Sequence, residues 1–119
     1  MYQIGIDCVE IIRIENSLKN ERFKSKFGKN ELDEIVSRGE KAVNFASCFA
    51  AKEAFSKAVG TGIRGFSFKD VQLVHNELGK PMILLSDDLN EKYKNFCFDI
   101  SITHTDSLVI AAVIAESED

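Results

Sequence analysis

The stretch that decides the fold lies in the middle of the chain: Phe49-Ala50-Ala51-Lys52-Glu53-Ala54-Phe55-Ser56-Lys57-Ala58. Alanines recur in it at helical spacing, and the same pattern extends upstream to about Glu40. Alanine has the highest helix propensity, and its small side chain permits close packing. The pattern therefore predicts one long central helix from about Glu40 to Val59, ended by the glycine-rich segment that starts at Gly60.

Shorter elements precede this helix. Apolar residues at alternating and then helical spacing predict a strand over Tyr2–Val9 and a helix from Ile11 to about Lys19. Asn30 is a suitable N-cap for a further helix from Glu31 to about Arg38, which Gly39 would end.

The part that follows the central helix is mostly strand-like. Alternating or continuous apolar runs predict four strands, with a turn over Asn76–Pro81 and a short helix over Asp87–Asn95; the strands are Phe66–His75, Met82–Leu85, Phe96–Ile102 and Leu108–Ala115. The last run is almost entirely Val, Ile and Ala, so we predict burial on both of its faces. Early helices and late strands indicate an α+β fold, with the long helix on a mostly antiparallel sheet.

Length and composition set broad limits. The chain has 119 residues, which predicts a single domain over residues 1–119, and its 45% hydrophobic and 29% charged content is ordinary for a soluble protein. We find no signal peptide and no apolar run of the roughly 18 residues that a membrane span needs, so we expect no membrane association. Three widely spaced cysteines without a CxxC pair favour a reducing compartment, and we expect a cytoplasmic protein.

Charge is unevenly distributed. The net charge of −4 argues against a nucleic-acid-binding protein. The segment 13–29 nevertheless carries six basic residues against two acidic ones. This local excess indicates either an acidic macromolecular partner, a phosphate-rich ligand or simply a solvated helical face.

Four side chains could carry chemistry. Asp7 lies near the end of the first strand, Glu53 and Lys57 share one face of the central helix, and His104 follows a late strand. Two carboxylates suit Mg²⁺ when phosphate oxygens complete its coordination, and a lysine one turn away could balance phosphate charge. Each also has an ordinary interpretation: Asp7 as a helix cap, Glu53 with Lys57 as a surface ion pair, and His104 as a structural residue.

The motifs taken together resemble the holo-(acyl carrier protein) synthases, the short bacterial 4'-phosphopantetheinyl transferases. The resemblance is carried by five segments in order and runs nearly end to end; they are Gly5–Ile11, Phe49–Ala58, Gly60–Gly62, Gly79–Pro81 and Ser101–His104. The fold implied is that of the phosphopantetheinyl transferases.

The resemblance implies an activity and roles for single residues. A serine of apo-acyl carrier protein attacks the β-phosphate of coenzyme A, phosphopantetheine is transferred, and adenosine 3',5'-bisphosphate leaves. Asp7 and Glu53 match the ligands of Mg²⁺, Lys57 matches the lysine beside the pyrophosphate, and His104 matches a histidine of the coenzyme pocket. Gly60 and Gly62 match a loop that lets the backbone approach the nucleotide. The base is either Glu53 itself or a water held by the metal and oriented by Asp7 or Glu53.

The resemblance also implies partners. Relatives of this length form homotrimers whose active sites lie between subunits, and their first helices receive the acidic carrier protein. Arg13 would then pair with the carrier, and neighbouring basic residues (Arg22, Lys24 and Lys26) would steer its approach. One departure is Ser47-Cys48, where many relatives have Gly-Arg; its expected effect is a weaker or relocated contact to a coenzyme phosphate.

Two other functions use the same residues. A magnesium-dependent nucleotide phosphohydrolase would use the carboxylates without a carrier protein. A non-catalytic coenzyme A-binding module would keep the fold without turnover.

Overall fold

The computed structural model describes residues 1–60 and 66–118, and its order of elements matches the predicted α+β arrangement. The strands are β1 (Tyr2–Glu10), β2 (Val71–His75), β3 (Pro81–Leu85), β4 (Phe96–His104) and β5 (Leu108–Ser117). The α-helices are α1 (Ile11–Ser17), α2 (Lys29–Ser37), α3 (Ala42–Val59) and α4 (Asp87–Lys92). Two short 3₁₀ helices span Glu21–Lys26 and Phe68–Asp70.

The strands form two antiparallel sheets. The larger sheet has the order β1-β5-β4, and the smaller one is the hairpin of β2 and β3. In the larger sheet Asp7 lies opposite Ala111, and His104 lies opposite Val109. The central strand β5 therefore separates β1 from β4.

Helix α3 covers one face of the larger sheet. Its buried residues, among them Ala50, Ala54 and Phe55, pack against alternate residues of β5, which form a single apolar core with it. The close approach to β1 depends on Gly5, because a Cβ there would overlap the carbonyl oxygen of Ala54. This contact places the C-terminal half of α3 directly over β1.

On the opposite face of the larger sheet, the predicted burial of β5 is wrong. Strand β5 is not buried on both faces: Val109 and Val113 are buried, but Ile114 on the other face is 41% exposed. Tyr2 and Ile4 of β1 are 68% and 67% exposed. The reason is that α3 covers only one face of the sheet, so the apolar residues of the other face are in contact with solvent in the single chain.

The starts of two helices also differ from the predictions. Helix α2 begins at Lys29 rather than after an Asn30 cap, because the side chain of Gln72 accepts hydrogen bonds from the amides of Asn30 and Glu31 at 2.9 and 3.2 Å. Helix α3 begins at Ala42 rather than at Glu40, whose φ of 55° is incompatible with a helix.

The predicted strand over Phe66–His75 is shorter in the structure. Only Val71–His75 pairs with β3, and Phe68–Asp70 forms a 3₁₀ turn instead. The amide of Ser67 donates to the Asp70 carboxylate at 3.0 Å, which stabilises the turn.

No helix among the described residues is both long enough and apolar enough to cross a bilayer.

Candidate active site

The site is built where α3 crosses β1. Asp7 lies on the side of β1 that faces α3, and its side chain is 15% exposed. The Lys57 ammonium donates to Asp7 Oδ1 at 3.1 Å and to the Ile6 carbonyl at 3.0 Å. Lys57 is therefore tied to β1 and is not simply a surface partner of Glu53 on its own helix.

Glu53 lies one turn before Lys57 and is half-buried. Burial raises the pKa of its carboxyl above the ordinary value, and the nearby Asp7 carboxylate raises it further. Lys57, Arg13 and Lys26 act in the opposite direction on the same pKa. The structure thus brings the two predicted carboxylates into one electrostatic cluster, with cations from α1, the first 3₁₀ helix and α3 around it.

The donor set fits Mg²⁺ held partly by a substrate. No group of three or more His, Cys, Asp or Glu side chains arranged for a metal occurs within residues 1–60 and 66–118. Mg²⁺ is commonly bound by one or two carboxylates, with phosphate oxygens and waters completing its octahedron. Asp7 and Glu53 supply two carboxylates, which meets that requirement.

The C-terminal end of α3 borders this cluster. Gly60 caps the helix with a left-handed φ of 80°, and its amide donates to the Lys57 carbonyl at 3.2 Å. That conformation is open to glycine at little cost, which explains the residue type. Gly62, the second predicted loop residue, lies outside the described residues.

His104 is not part of the cluster. It ends β4, which lies across β5 from β1, so two strand spacings of about 4.8 Å each separate it from Asp7. It lines a different cavity, of about 250 Å³, together with Glu34, Arg38, Cys48 and His75. Within one chain the structure therefore brings Asp7, Glu53 and Lys57 together and leaves His104 apart.

The cavity around His104 contains a residue that sequence reasoning set aside. His75 is the last residue of β2, and its amide donates to Glu34 Oε1 at 3.1 Å. Its ring Nδ1 lies 3.5 Å from the same oxygen. Cys48, also in this cavity, is a neutral thiol, because burial raises its pKa well above the ordinary value. Arg38 supplies a guanidinium to the same cavity.

Sequence reasoning also missed Lys52. Its side chain is fully buried and lies 2.5 Å from Glu31 Oε1. The sequence around Lys52 does not indicate this burial. A lysine is rarely buried without a partner, and the partner of Lys52 is 21 residues away in the chain.

Comparison with known proteins identifies the family. Residues 3–113 match the model of the 4'-phosphopantetheinyl transferase superfamily. The chain is 43% identical to a holo-[acyl-carrier-protein] synthase of Clostridium perfringens, over 97% of this chain and 93% of that protein.

Solved structures give the same result. The crystal structure of holo-[acyl-carrier-protein] synthase from Neisseria meningitidis superposes with a TM-score of 0.88 at 35% identity, covering 97% of this chain and 98% of that one. The structure from Bacillus anthracis in complex with coenzyme A (3',5'-ADP) has a TM-score of 0.81 at 36% identity, covering 98% and 96%. The fold predicted from the motifs is thereby confirmed, and the chain belongs to the holo-[acyl-carrier-protein] synthases of the 4'-phosphopantetheinyl transferase superfamily.

Proposed function

We propose that the chain transfers 4'-phosphopantetheine from coenzyme A to a serine of apo-acyl carrier protein, releasing adenosine 3',5'-bisphosphate. The observation that carries the proposal is the cluster of Asp7, Glu53 and Lys57, assembled from β1 and α3 in a chain of this family. Phosphoryl-type transfer requires mainly positioning and charge neutralisation, which such a cluster supplies.

Asp7 and Glu53 would hold Mg²⁺ against the diphosphate of the coenzyme. When bound, the ion neutralises charge on the phosphate oxygens as a Lewis acid. The ammonium of Lys57, which donates to Asp7 and the Ile6 carbonyl, would lie beside the same diphosphate. Glu53 takes the proton of the attacking serine, directly or through one water, since its carboxylate lies in the same cluster as Asp7 and Lys57.

The coenzyme has a second contact region in the cavity of His104. Arg38 and His75 accompany His104 there and suit the anionic and polar groups of a nucleotide. Because His104 lies on a different strand from Asp7 and lines a cavity whose residues do not include Asp7, Glu53 or Lys57, we infer that one coenzyme is bound between two copies of the chain.

An exposed apolar face supports such an assembly. Tyr2, Ile4, Ile6 and Ile114 expose between 41% and 68% of their surface on one side of the sheet. Contiguous apolar patches of this kind mark protein interfaces. We propose that this face joins three copies into a homotrimer, as the family resemblance implies.

The carrier protein would approach from the side of α1. Arg13 is exposed on α1, and its charge lowers the pKa of Glu53. It therefore lies at the rim of the cluster. The three described cysteines are free, in keeping with the cytoplasmic location that we propose for the reaction.

A mass measurement tests the proposed function. The protein is incubated with coenzyme A, Mg²⁺ and apo-acyl carrier protein, and the carrier is weighed by mass spectrometry; we expect the mass of the phosphopantetheine arm to be added. The matched control is Glu53→Gln, which keeps the size of the side chain and removes its charge. Release of inorganic phosphate without carrier modification would indicate a phosphohydrolase, and binding of coenzyme A without either product would indicate a binding module.

A further inference from the structure

One carboxylate of the His104 cavity, that of Glu34, has no part in the function proposed above. Glu34 follows Glu31 by three positions on α2, so the two side chains share one face of the helix. Glu31 Oε2 accepts from the amide of Leu73 at 2.8 Å, and Glu34 Oε1 accepts from the amide of His75 at 3.1 Å. Since β2 pairs with β3 along its other edge, the two glutamates bind the free edge of β2.

The two glutamates differ in their counter-ions. The carboxylate of Glu31 is fully buried and is paired with the ammonium of Lys52. Within residues 1–60 and 66–118, the basic group at ion-pair distance from Glu34 is the ring of His75, whose Nδ1 lies 3.5 Å from Oε1. One oxygen of Glu34 thus faces both the backbone amide and the ring of His75, and it thereby fixes the orientation of the imidazole.

The ring of His75 has one buried edge and one open edge. Nδ1, on the side of Glu34, is buried and forms no hydrogen bond with the described part of the chain. The side chain as a whole is 21% exposed and lines the cavity of about 250 Å³, so the open edge is the one that carries Nε2. A lone pair on Nδ1 would repel the carboxylate oxygen, and Nδ1 therefore carries a proton.

The charges around His75 are balanced in the single chain. The titratable and charged side chains that line the cavity come from α2, α3, β2 and β4; they are Glu31, Glu34, Arg38, Cys48, His75 and His104. Glu31 is paired with Lys52, and burial keeps Cys48 a neutral thiol by raising its pKa. Pro81, opposite His75 on β3, carries no charge. One carboxylate and one guanidinium remain, so an anionic ligand brings uncompensated charge unless an imidazole takes up a proton.

We propose that coenzyme binding is coupled to proton uptake by His75, with Glu34 as the positioning residue: its carboxylate pairs with Nδ1–H of the imidazolium, which presents Nε2–H to an anionic oxygen of the coenzyme. The proton comes from solvent and adds to the lone pair of Nε2. The resulting hydrogen bond joins two charged groups, which makes it stronger than one between neutral groups. The identity of the ligand rests on the proposed function, whereas the pairing of Glu34 with His75 does not.

Calorimetry tests the proton uptake on the folded protein. Adenosine 3',5'-bisphosphate is titrated into the parent just above neutral pH, in buffers of different ionisation enthalpy, which gives the number of protons taken up per ligand. We expect uptake in the parent, and binding that weakens as the pH rises. His75→Gln should lose this uptake. His104→Gln, in the same cavity, should retain it, because the uptake belongs to His75.

A mutant cycle tests the role of Glu34. Glu34→Gln keeps an oxygen for the amide of His75 and removes the charge. We expect Glu34→Gln and His75→Gln each to weaken binding by about tenfold, and the double variant to bind no more weakly than either. The uptake of protons should also fall in Glu34→Gln, which a purely structural role of Glu34 would not cause.

Steady-state kinetics provides a second readout. In both single variants the KM for coenzyme A should rise, while kcat and the KM for the carrier protein stay within about twofold of the parent. Asp33→Asn is the matched control, because Asp33 lies on the same helix, is 65% exposed and pairs with Lys29. It should change neither the uptake of protons nor the KM for coenzyme A. Dephospho-coenzyme A identifies the oxygen: a difference between parent and His75→Gln that disappears with it assigns the contact to the 3'-phosphate, and one that persists assigns it to the diphosphate.

Three results would overturn the proposal: equal proton uptake in the parent and in His75→Gln, full additivity of the two changes, or no binding of the nucleotide to the parent. If Glu34→Gln does not fold, Glu34→Asp takes its place, because the shorter carboxylate cannot approach Nδ1 as closely. A parent that binds the nucleotide with proton uptake but does not modify a carrier protein would refute the proposed function and leave the pairing of Glu34 with His75 supported.

Discussion

The Lys57 ammonium lies 3.1 Å from Asp7 Oδ1, although 50 positions separate the two residues in the chain. The contact joins α3 to β1 at the point where Gly5 lets the helix approach the strand. A helix residue and a strand residue thereby form one charged cluster with Glu53.

The first prediction concerns Lys57. Replacing it with Ala removes a cation that is already held in place by Asp7 and the Ile6 carbonyl, so we expect the rate of carrier modification to fall by about 10²–10³. Steady-state kinetics with saturating coenzyme A would measure the loss. Lys29→Ala is the matched control, because Lys29 also pairs with an aspartate, at 2.8 Å, but on the exposed surface of α2. Activity of Lys57→Ala within a few-fold of the parent would leave Lys57 only a surface ion pair.

The second prediction concerns the stability effect of Glu53. Its pKa is raised in the folded chain, so at neutral pH the ionised carboxylate is less favourable in the native state than in the unfolded one. Glu53→Gln should therefore melt at a higher temperature than the parent at pH 7 without metal. The difference should shrink as pH falls through the raised pKa, because the native parent then takes up the proton and loses the repulsion from Asp7.

Adding Mg²⁺ provides a control for the comparison of melting temperatures. A ligand that binds only the native state raises the melting temperature. We expect Mg²⁺ together with coenzyme A to stabilise the parent and to have a smaller effect on Glu53→Gln. Equal melting temperatures of parent and variant at neutral pH would contradict the raised pKa, and equal stabilisation by Mg²⁺ would remove Glu53 from the metal site.

The third prediction concerns Arg13. The charge reversal Arg13→Glu should raise the KM for the acidic carrier protein more than the KM for coenzyme A, because Arg13 is exposed on α1 at the rim of the cluster. Increasing ionic strength should reduce the difference. Lys94→Glu, which reverses an exposed charge beside α4, serves as the control. A carrier KM that does not change would exclude Arg13 from the interface.

The fourth prediction concerns Gly5. A methyl group at this position would overlap the Ala54 carbonyl and lie 2.5 Å from the Ala58 amide nitrogen, so α3 would have to move away from β1. We expect Gly5→Ala to destabilise the fold by about 1–3 kcal/mol or more. We also expect it to lower activity in the fraction that remains folded, because Lys57 and Asp7 separate. Urea unfolding and kinetics would measure both effects; Gly39→Ala, at an exposed turn with open space around it, should affect stability alone.

The fifth prediction concerns assembly. Ile4 is 67% exposed on the uncovered face of the sheet, opposite Ile114. Ile4→Asp should dissociate the proposed trimer and abolish activity, since the region of His104 would then be separated from the cluster of another copy. Analytical ultracentrifugation would show the change in mass. Val36→Asp, at a position on α2 that is 59% exposed, should leave the assembly intact. A monomeric parent with full activity would contradict the shared site.

Local patterns predicted well those features that depend on near neighbours in the chain. The helix that carries Glu53 and Lys57 was predicted correctly, because an i, i+4 spacing places two residues on one face wherever the helix lies. The strand that carries Asp7 was correct for a similar reason, since alternation needs no knowledge of the partner strand. The predicted start of α2 and the predicted strand at Phe68 were wrong, because the side chains of Gln72 and Lys52, which are distant in sequence, form hydrogen bonds to these segments.

The sequence by itself determined the family, the order of the elements and the pair of residues on the face of α3, since all of these follow from motifs and short-range periodicity. Only the tertiary structure decided that Lys57 bonds to Asp7, that Lys52 is buried with Glu31, and that His104 lies across the sheet from the cluster. The physical reason is that these contacts depend on how α3 packs over the strands. That packing is set by close approaches such as the one at Gly5, which no local pattern specifies.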